Sequence, residues 1–191
     1  MSSLKKVGAL GLVVCALGAI GAANASAETF TASATGSLTG RASLSQVFKT
    51  NGGYIECTSA AVSGVIESTA ATSQHVTVKY SGCKAFGFST VHIPPATYLL
   101  TANGGLHIKN TITVTPTFFG SSICTVTFGP QASSFVFVDN EAGGYLRESF
   151  RLLFLSYTST GGPCGASGNN GTYEGDLEVH RVGGGSLYFD S

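Results

Sequence analysis

The sequence has 191 residues, with 10 basic and 10 acidic side chains, so its formal net charge is zero. This balance lacks the basic excess that nucleic acids and anionic membranes attract. Because 43% of the residues are hydrophobic, the chain is too apolar for a disordered linker. The length is sufficient for one domain with a sizeable core.

The first 27 residues have the pattern of a secretory signal peptide. Lys5 and Lys6 precede an apolar run, which ends in the small-x-small sequence Ala25-Ser26-Ala27. We expect residues 28–191 to form a single all-β domain, located outside the cell or at its surface. Cleavage would remove two lysines and no acid, leaving eight basic and ten acidic side chains. No later apolar run is long enough to span a membrane.

Alternating apolar and polar residues predict short strands in the first half of the mature chain. Thr29 to Thr39 alternates weakly and is predicted to be an edge strand or an ordered lead-in. The turn residues Asn51-Gly52-Gly53 predict a short hairpin. The runs Ala61 to Ser68 and His75 to Tyr80 predict a second hairpin with a longer loop.

Further strands are predicted in the centre of the chain. Phe86 to Ile93 ends at Pro94-Pro95, since proline cannot donate to a ladder, and Ala96 to Thr101 follows. Phe135 to Val138 is a short strand with apolar residues on both faces. Two runs with clear alternation predict a set of residues that face inward: Ile112, Val114, Phe118, Cys124, Val126 and Phe128.

The segment from Tyr145 to Tyr157 fits both a helix and a strand. Helical spacing fits the apolar residues Leu146, Phe150, Leu153, Phe154 and Tyr157. Strand spacing fits Leu146, Phe150, Leu152 and Phe154. We predict a strand. Its inward residues would be Leu146, Phe150, Leu152 and Phe154.

The last predicted strand, Thr172 to Val182, carries the only candidate catalytic group. Tyr173, Leu177 and Val179 are predicted to face inward, and Glu174, Asp176, Glu178 and His180 outward. Alternate residues on a strand lie about 6.8 Å apart, within the range for the two carboxylates of inverting glycosidases. Acids on an outer face are more often a solvated surface, so we assign no catalytic residue.

Metal and cofactor sites have little support in the sequence. Asp139-Asn140-Glu141 offers oxygen donors for Ca²⁺ but matches no known calcium loop. His75, His92, His107 and His180 are dispersed, and no closely spaced Cys/His set occurs. We therefore predict neither a metal nor a cofactor.

Four cysteines remain after the predicted cleavage: Cys57, Cys83, Cys124 and Cys164. They allow three connectivities, among which the sequence alone does not select. Nearest-neighbour pairing, Cys57 with Cys83 and Cys124 with Cys164, is the expectation that we adopt. A bridge between Cys57 and Cys83 would lie at the open end of the longer hairpin.

Three segments together resemble a known family: NGGYIECTSA with GCKAFGF, then CTVTFGPQ, then YTSTGGPCGASGNNGTYEG. The family consists of small secreted, disulfide-containing β proteins of unknown function from high-GC Gram-positive bacteria. The resemblance implies nearest-neighbour disulfides and a strand from Tyr145 to Tyr157. It implies no activity. Many members have a further cysteine pair, which Ala96 and the region from Leu106 to Lys109 lack.

The pattern of short strands and turns predicts an antiparallel two-layer β-sandwich stapled by disulfides, with a closed β-barrel as the alternative. We expect a secreted, non-catalytic protein with a binding or structural role and an unidentified partner. An extracellular hydrolase of polysaccharide or peptidoglycan is one alternative. A carrier of a small ligand is the other, and it requires an unfilled interior.

Overall fold

The computed structural model describes residues 28–86, 89–134 and 136–190. In these ranges the regular structure consists of strands and one short 3-10 helix, Gly162–Cys164. The predicted all-β class is confirmed. The predicted signal peptide, residues 1–27, lies outside the described residues.

The described part of the chain contains 17 strands. They are β1 (Thr29–Ala32), β2 (Gly36–Ala42), β3 (Gln46–Thr50), β4 (Gly53–Ile66), β5 (Ala70–Ala71), β6 (Ser73–Ala85), β7 (Ser89–His92), β8 (Ala96–Thr101), β9 (Gly105–Ile108), β10 (Ile112–Phe118), β11 (Ser121–Ser122), β12 (Thr125–Phe128), β13 (Gln131–Ser134), β14 (Val136–Glu141), β15 (Tyr145–Thr160), β16 (Gly168–Arg181) and β17 (Leu187–Asp190).

The strands form a small and a large sheet, and their pairings are antiparallel. The small sheet has the order β17-β1-β5. The large sheet has 14 strands in the order β13-β9-β8-β6-β7-β10-β12-β15-β16-β2-β4-β3, with β11 attached to β10 and β14 to β15. β4 also pairs with β6, and β16 with β3. The choice between a sandwich and a closed barrel stays a prediction.

Both predicted hairpins are present in the first half of the chain. β3 and β4 pair across the Asn51 to Gly53 turn, with Phe48 opposite Ile55. β4 and β6 form the longer hairpin, with Val62 opposite Val78. The connection between them contains β5, which leaves the hairpin and pairs with β1. The hairpin loop thereby joins the two sheets.

The ambiguous segment is a strand, as predicted, and forms β15. Leu146, Phe150 and Leu152 are buried, but the prediction that Phe154 faces inward is wrong, since it is 79% exposed. The register of β15 against β16 shifts between Leu152 and Leu155, and Phe154 has a φ of 58°. This β-bulge reverses the alternation, so Leu155 is buried in place of Phe154.

The alternation of β10 also fails at its end. Ile112 and Val114 are buried, but Phe118, predicted to face inward, is 46% exposed. Phe118 pairs with Ser121 in the short β10–β11 hairpin, where its ring packs edge-on to Phe119 at 4.4 Å. The hairpin extends beyond the core, so parity no longer determines burial there. Of the predicted strand Phe135 to Val138, Phe135 lies outside the described residues.

Two disulfides join Cys57 to Cys83 and Cys124 to Cys164, the pairs expected from the sequence. Cys57 and Cys83 lie directly opposite each other on β4 and β6, with their Cα atoms 3.9 Å apart. Cys124 precedes β12, and its bridge holds the short 3-10 helix that contains Cys164. Loss of either bridge is expected to cost about 2–5 kcal/mol.

Aromatic rings fill the centre of the core. Phe48 of β3 lies with its ring centroid 4.5 Å from that of Tyr173, 5.4 Å from Tyr80 and 5.7 Å from Phe128. Such pairs contribute about 0.5–1.5 kcal/mol each beyond the area that they bury. Because Phe48 and Tyr173 are opposite in the β3–β16 ladder, this cluster fixes the register of the two strands.

Candidate functional site

The predicted acidic face on β16 consists of Glu174, Asp176 and Glu178. These residues lie on the outward side of the strand and alternate with buried residues. Lys49 on β3 places its Nζ 3.4 Å from Glu174, and Arg41 on β2 its Nε 3.2 Å from Glu178. Glu174 and Glu178 therefore pair with cations on neighbouring strands.

Further cations oppose the acidic face from β15. Arg151 lies across from Glu174 and Arg147 across from Glu178 in the ladder. Charged pairs on an exposed sheet face contribute only about 0.2–1 kcal/mol each. His180, at the end of the same face, stacks on the Tyr145 ring at 4.5 Å. The arrangement is that of a mixed-charge surface, and the three carboxylates line none of the cavities described below.

Two of the three candidate calcium donors, Asn140 and Glu141, have other partners. The side chain of Asn140 donates from Nδ2 to the Phe189 carbonyl and accepts the Phe189 N–H at Oδ1, both at 2.7 Å. The Oε1 atom of Glu141 lies 3.7 Å from Nη1 of Arg147. Asn140 thus attaches β17 to β14, a structural role.

The four histidines lie on four strands: His75 on β6, His92 on β7, His107 on β9 and His180 on β16. Within the described ranges, no group of three or more His, Cys, Asp or Glu side chains is placed to hold a metal ion.

The interior contains polar side chains that the sequence analysis did not single out. Four of these side chains, which we call the Gln46 network, are hydrogen-bonded to one another: Gln46, Tyr80, Tyr98 and Tyr173. The Tyr98 and Tyr80 hydroxyls lie 2.6 Å apart, Tyr80 donates to Tyr173 at 3.2 Å, and Tyr173 donates to Gln46 Oε1 at 2.5 Å. Burial raises the pKa of all three tyrosines, so each retains its proton and can donate.

Gln46 completes the network through its amide nitrogen. Nε2 donates to the Leu44 carbonyl at 2.9 Å and to the Asp176 carbonyl at 3.1 Å. The side chain lies over Gly175, where an added Cβ would come within 2.2 Å of Oε1. Gln46 is fully buried with every polar atom paired, so this network is part of the scaffold.

Glu148 of β15 is a buried carboxyl group among apolar neighbours. It is 0% exposed, and it lies between Val138 of β14 and Leu177 of β16 in the ladders. Neither carboxyl oxygen has a hydrogen-bond partner among the described residues. Burial raises the pKa of Glu148 to about 8, so the group is protonated at neutral pH.

Gln74 of β6 is the second buried side chain without partners. It is 6% exposed, and both Nε2 and Oε1 are buried with no hydrogen-bond partner in the part of the chain that the structure describes. It differs from Glu148 because it lies in the wall of a cavity of about 440 Å³. We call this space the Gln74 cavity.

The Gln74 cavity lies where the small sheet meets the end of the β4–β6 hairpin. Three of its apolar wall residues, Phe30, Ile66 and Leu187, are buried and come from β1, β4 and β17. The hairpin loop is tied to both sides, because the Thr69 carbonyl accepts the Ala32 N–H and the Thr72 carbonyl accepts the Ala102 N–H, each at 2.9 Å. These two hydrogen bonds attach the hairpin loop to the chain on either side of it.

A second, more open cavity of about 860 Å³ adjoins the first and shares Thr72 with it. Its lining is more polar and includes Asn103, His107 and Ser133. Glu28, the first described residue, also lies on it. The Gln74 cavity is the better candidate site because it is more enclosed and has the unpartnered Gln74 side chain in its wall.

Both unpartnered side chains could have been recognised from strand parity. Gln74 shares the inward parity of Val76 and Val78, and Glu148 that of Leu146 and Phe150. The cavity itself had no signal in the sequence, because it depends on β1 and β17 coming together from opposite ends of the described residues.

Comparison with protein families, with curated proteins and with solved structures found no match for the chain. In the described ranges, no helix is long and apolar enough to cross a membrane.

Proposed function

We propose that the protein is a secreted, non-catalytic binding protein that holds a small ligand in the Gln74 cavity. The observation that carries this proposal is the presence of a buried, unpartnered amide in the wall of a cavity with both apolar and polar lining residues. Two disulfides support an oxidising compartment, in keeping with the predicted signal peptide.

The cavity has the size and lining of a small-molecule site. Its volume of about 440 Å³ lies within the range of about 300–1,000 Å³ that is typical of ligand pockets. Such pockets combine apolar walls with a few polar groups that orient the ligand. Phe30, Ile66 and Leu187 supply apolar wall, and the polar residues of the lining are Glu67, Ser68, Thr72, Ser73, Gln74 and His75.

The energetics of Gln74 also favour a bound partner. A buried amide without hydrogen bonds costs about 1–3 kcal/mol. A ligand that forms hydrogen bonds with the Gln74 amide removes this cost. The Gln46 amide already forms its hydrogen bonds within the protein. We place binding above hydrolysis because two of the three acids of the candidate catalytic face, Glu174 and Glu178, are paired with cations on neighbouring strands.

A neutral apolar probe tests the proposal. N-phenyl-1-naphthylamine becomes fluorescent in apolar sites, and we expect it to bind the wild-type protein. The variant Ala71→Leu fills the cavity from its wall. Ala61→Leu adds the same side chain to the exposed face of β4, outside the cavity, and is the matched control.

We expect Ala71→Leu to weaken probe binding at least tenfold and Ala61→Leu to leave it unchanged. Circular dichroism and thermal unfolding without the probe would show that both variants are folded. Absence of binding to the wild-type protein, or equal affinity in Ala71→Leu, would contradict the proposal.

A further inference from the structure

We infer that the ligand of the Gln74 cavity is a neutral, mainly apolar molecule that carries a cis amide, as in a lactam or a primary amide. This inference rests on the proposed function. It concerns the chemical group that Gln74 would recognise.

The chemistry of the Gln74 side chain determines the complementary group. A glutamine amide presents a carbonyl acceptor beside N–H donors in one plane. Both Nε2 and Oε1 of Gln74 lack partners, so full satisfaction requires a donor and an acceptor side by side. A cis amide presents this pair and forms two parallel hydrogen bonds. An ester or a ketone offers acceptors only and leaves Oε1 unpaired.

The charge of the cavity favours a neutral ligand. A carboxylate could accept from Nε2 but would leave Oε1 unpaired, and its burial against Phe30, Ile66 and Leu187 would be costly. Glu67, an exposed residue on the cavity lining, would also repel an anion. Glu67 would attract a cation, but the N–H donors of a cation would pair only with Oε1 of Gln74 and leave Nε2 unpaired.

The inference includes a movement of the Gln74 side chain. The Nε2 and Oε1 atoms of Gln74 are shielded from solvent, although the residue lines the cavity. The last torsion of a glutamine side chain is broad and has no sharp rotamer wells. We therefore infer that the side chain turns its amide toward the cavity when the ligand binds.

Matched bicyclic compounds test the inference. Quinolin-2-one carries a cis amide, coumarin has an ester oxygen in place of the N–H, and N-methylquinolin-2-one keeps the carbonyl but has no donor. Each would be titrated by displacement of N-phenyl-1-naphthylamine from the wild-type protein and from Gln74→Met. Gln131→Met is the control, because Gln131 lies on β13 outside the cavity lining.

We expect quinolin-2-one to bind the wild-type protein at least tenfold more tightly than either analogue, which corresponds to about 1.4 kcal/mol. Gln74→Met should remove this preference, and Gln131→Met should retain it. The comparison of the three compounds on the wild-type protein remains decisive if Gln74→Met does not fold.

Three results would overturn the inference while the proposed function stands. The three compounds could bind the wild-type protein equally, or the preference could persist in Gln74→Met. In the third result, the naphthylamine probe binds and no bicyclic compound displaces it. Failure of the probe itself to bind would overturn the proposed function as well.

Discussion

Two glutamines on the inward faces of strands show how different a buried amide can be. Gln46 on β3 is 0% exposed and Gln74 on β6 is 6% exposed. Gln46 accepts one hydrogen bond and donates two, and its side chain packs over Gly175. Gln74 makes no side-chain hydrogen bond with the described residues and lines a cavity.

The difference separates scaffold from candidate site. A fully paired polar group inside a core stabilises one arrangement of strands, because each alternative would leave it unpaired. An unpaired buried group lowers the stability of the protein without a ligand, and it contributes binding free energy when a ligand pairs with it. Glu148 is a third case, since it is unpaired and lies among apolar neighbours with no cavity assigned to it.

The largest expected effect concerns Glu148. Its pKa rises from an ordinary 4.5 to about 8 in the folded protein. Between these values the folded state binds more protons than the unfolded state, so the stability attributable to this group falls as pH rises. The loss is about 1.4 kcal/mol for each unit of pKa difference, and it is complete above pH 8.

Urea unfolding of the wild-type protein and Glu148→Met at pH 5 and pH 8.5 measures this effect. We expect the variant to gain stability relative to the wild type at the higher pH by several kcal/mol. Glu67→Met, at an exposed position, is the control. An equal pH dependence in the wild type and Glu148→Met would show that the carboxyl group has a partner.

The next effect concerns the Gln46 network. Gln46→Met is expected to lower the free energy of unfolding by about 3 kcal/mol, because the Tyr173 hydroxyl loses its acceptor and the Leu44 and Asp176 carbonyls lose their donor. Chemical denaturation at constant pH measures it. A loss below about 1 kcal/mol would mean that the network is not a structural element.

The same substitution at the second glutamine is expected to act in the opposite direction. Gln74→Met, without ligand, should raise the free energy of unfolding by about 1–2 kcal/mol, since it removes an unpaired amide of similar size. The measurement is denaturation beside the wild-type protein. Destabilisation comparable to that of Gln46→Met would refute the contrast between the two sites.

The smallest effect is expected on the acidic face. Glu174→Gln and Asp176→Asn should each change stability by no more than about 1 kcal/mol, because exposed ion pairs contribute little. Thermal unfolding at low and high salt measures this. A loss of several kcal/mol in either variant would assign these carboxylates a role beyond the solvated surface.

Periodicity predicted much of the scaffold. The alternation of Val76, Val78 and Tyr80 and the turn at Asn51 to Gly53 depend on neighbours in the chain, so they are readable from the sequence. The bulge at Phe154 could not be read from the sequence, because its φ of 58° reflects pairing with β16 rather than local preference. The exposure of Phe118 likewise depends on where the core ends.

The candidate site was only partly predictable. Parity placed Gln74 and Glu148 on inward faces, but it gave no information about their hydrogen-bond partners. Gln46 illustrates the difficulty, because its partners include Tyr173 and the Asp176 carbonyl, more than 120 positions away. The cavity arises from three segments that are distant in sequence: β1, the loop after β4, and β17.

The side-chain amide signals of the glutamines in a nitrogen-15 NMR spectrum test the central claim most directly. The sequence contains three glutamines, Gln46, Gln74 and Gln131, and the spectrum of Gln74→Met would identify the Gln74 pair. On addition of quinolin-2-one, we expect the Gln74 signals to shift while those of Gln46 and Gln131 stay in place. Binding without a shift at Gln74, or a shift confined to Gln46 or Gln131, would contradict the account.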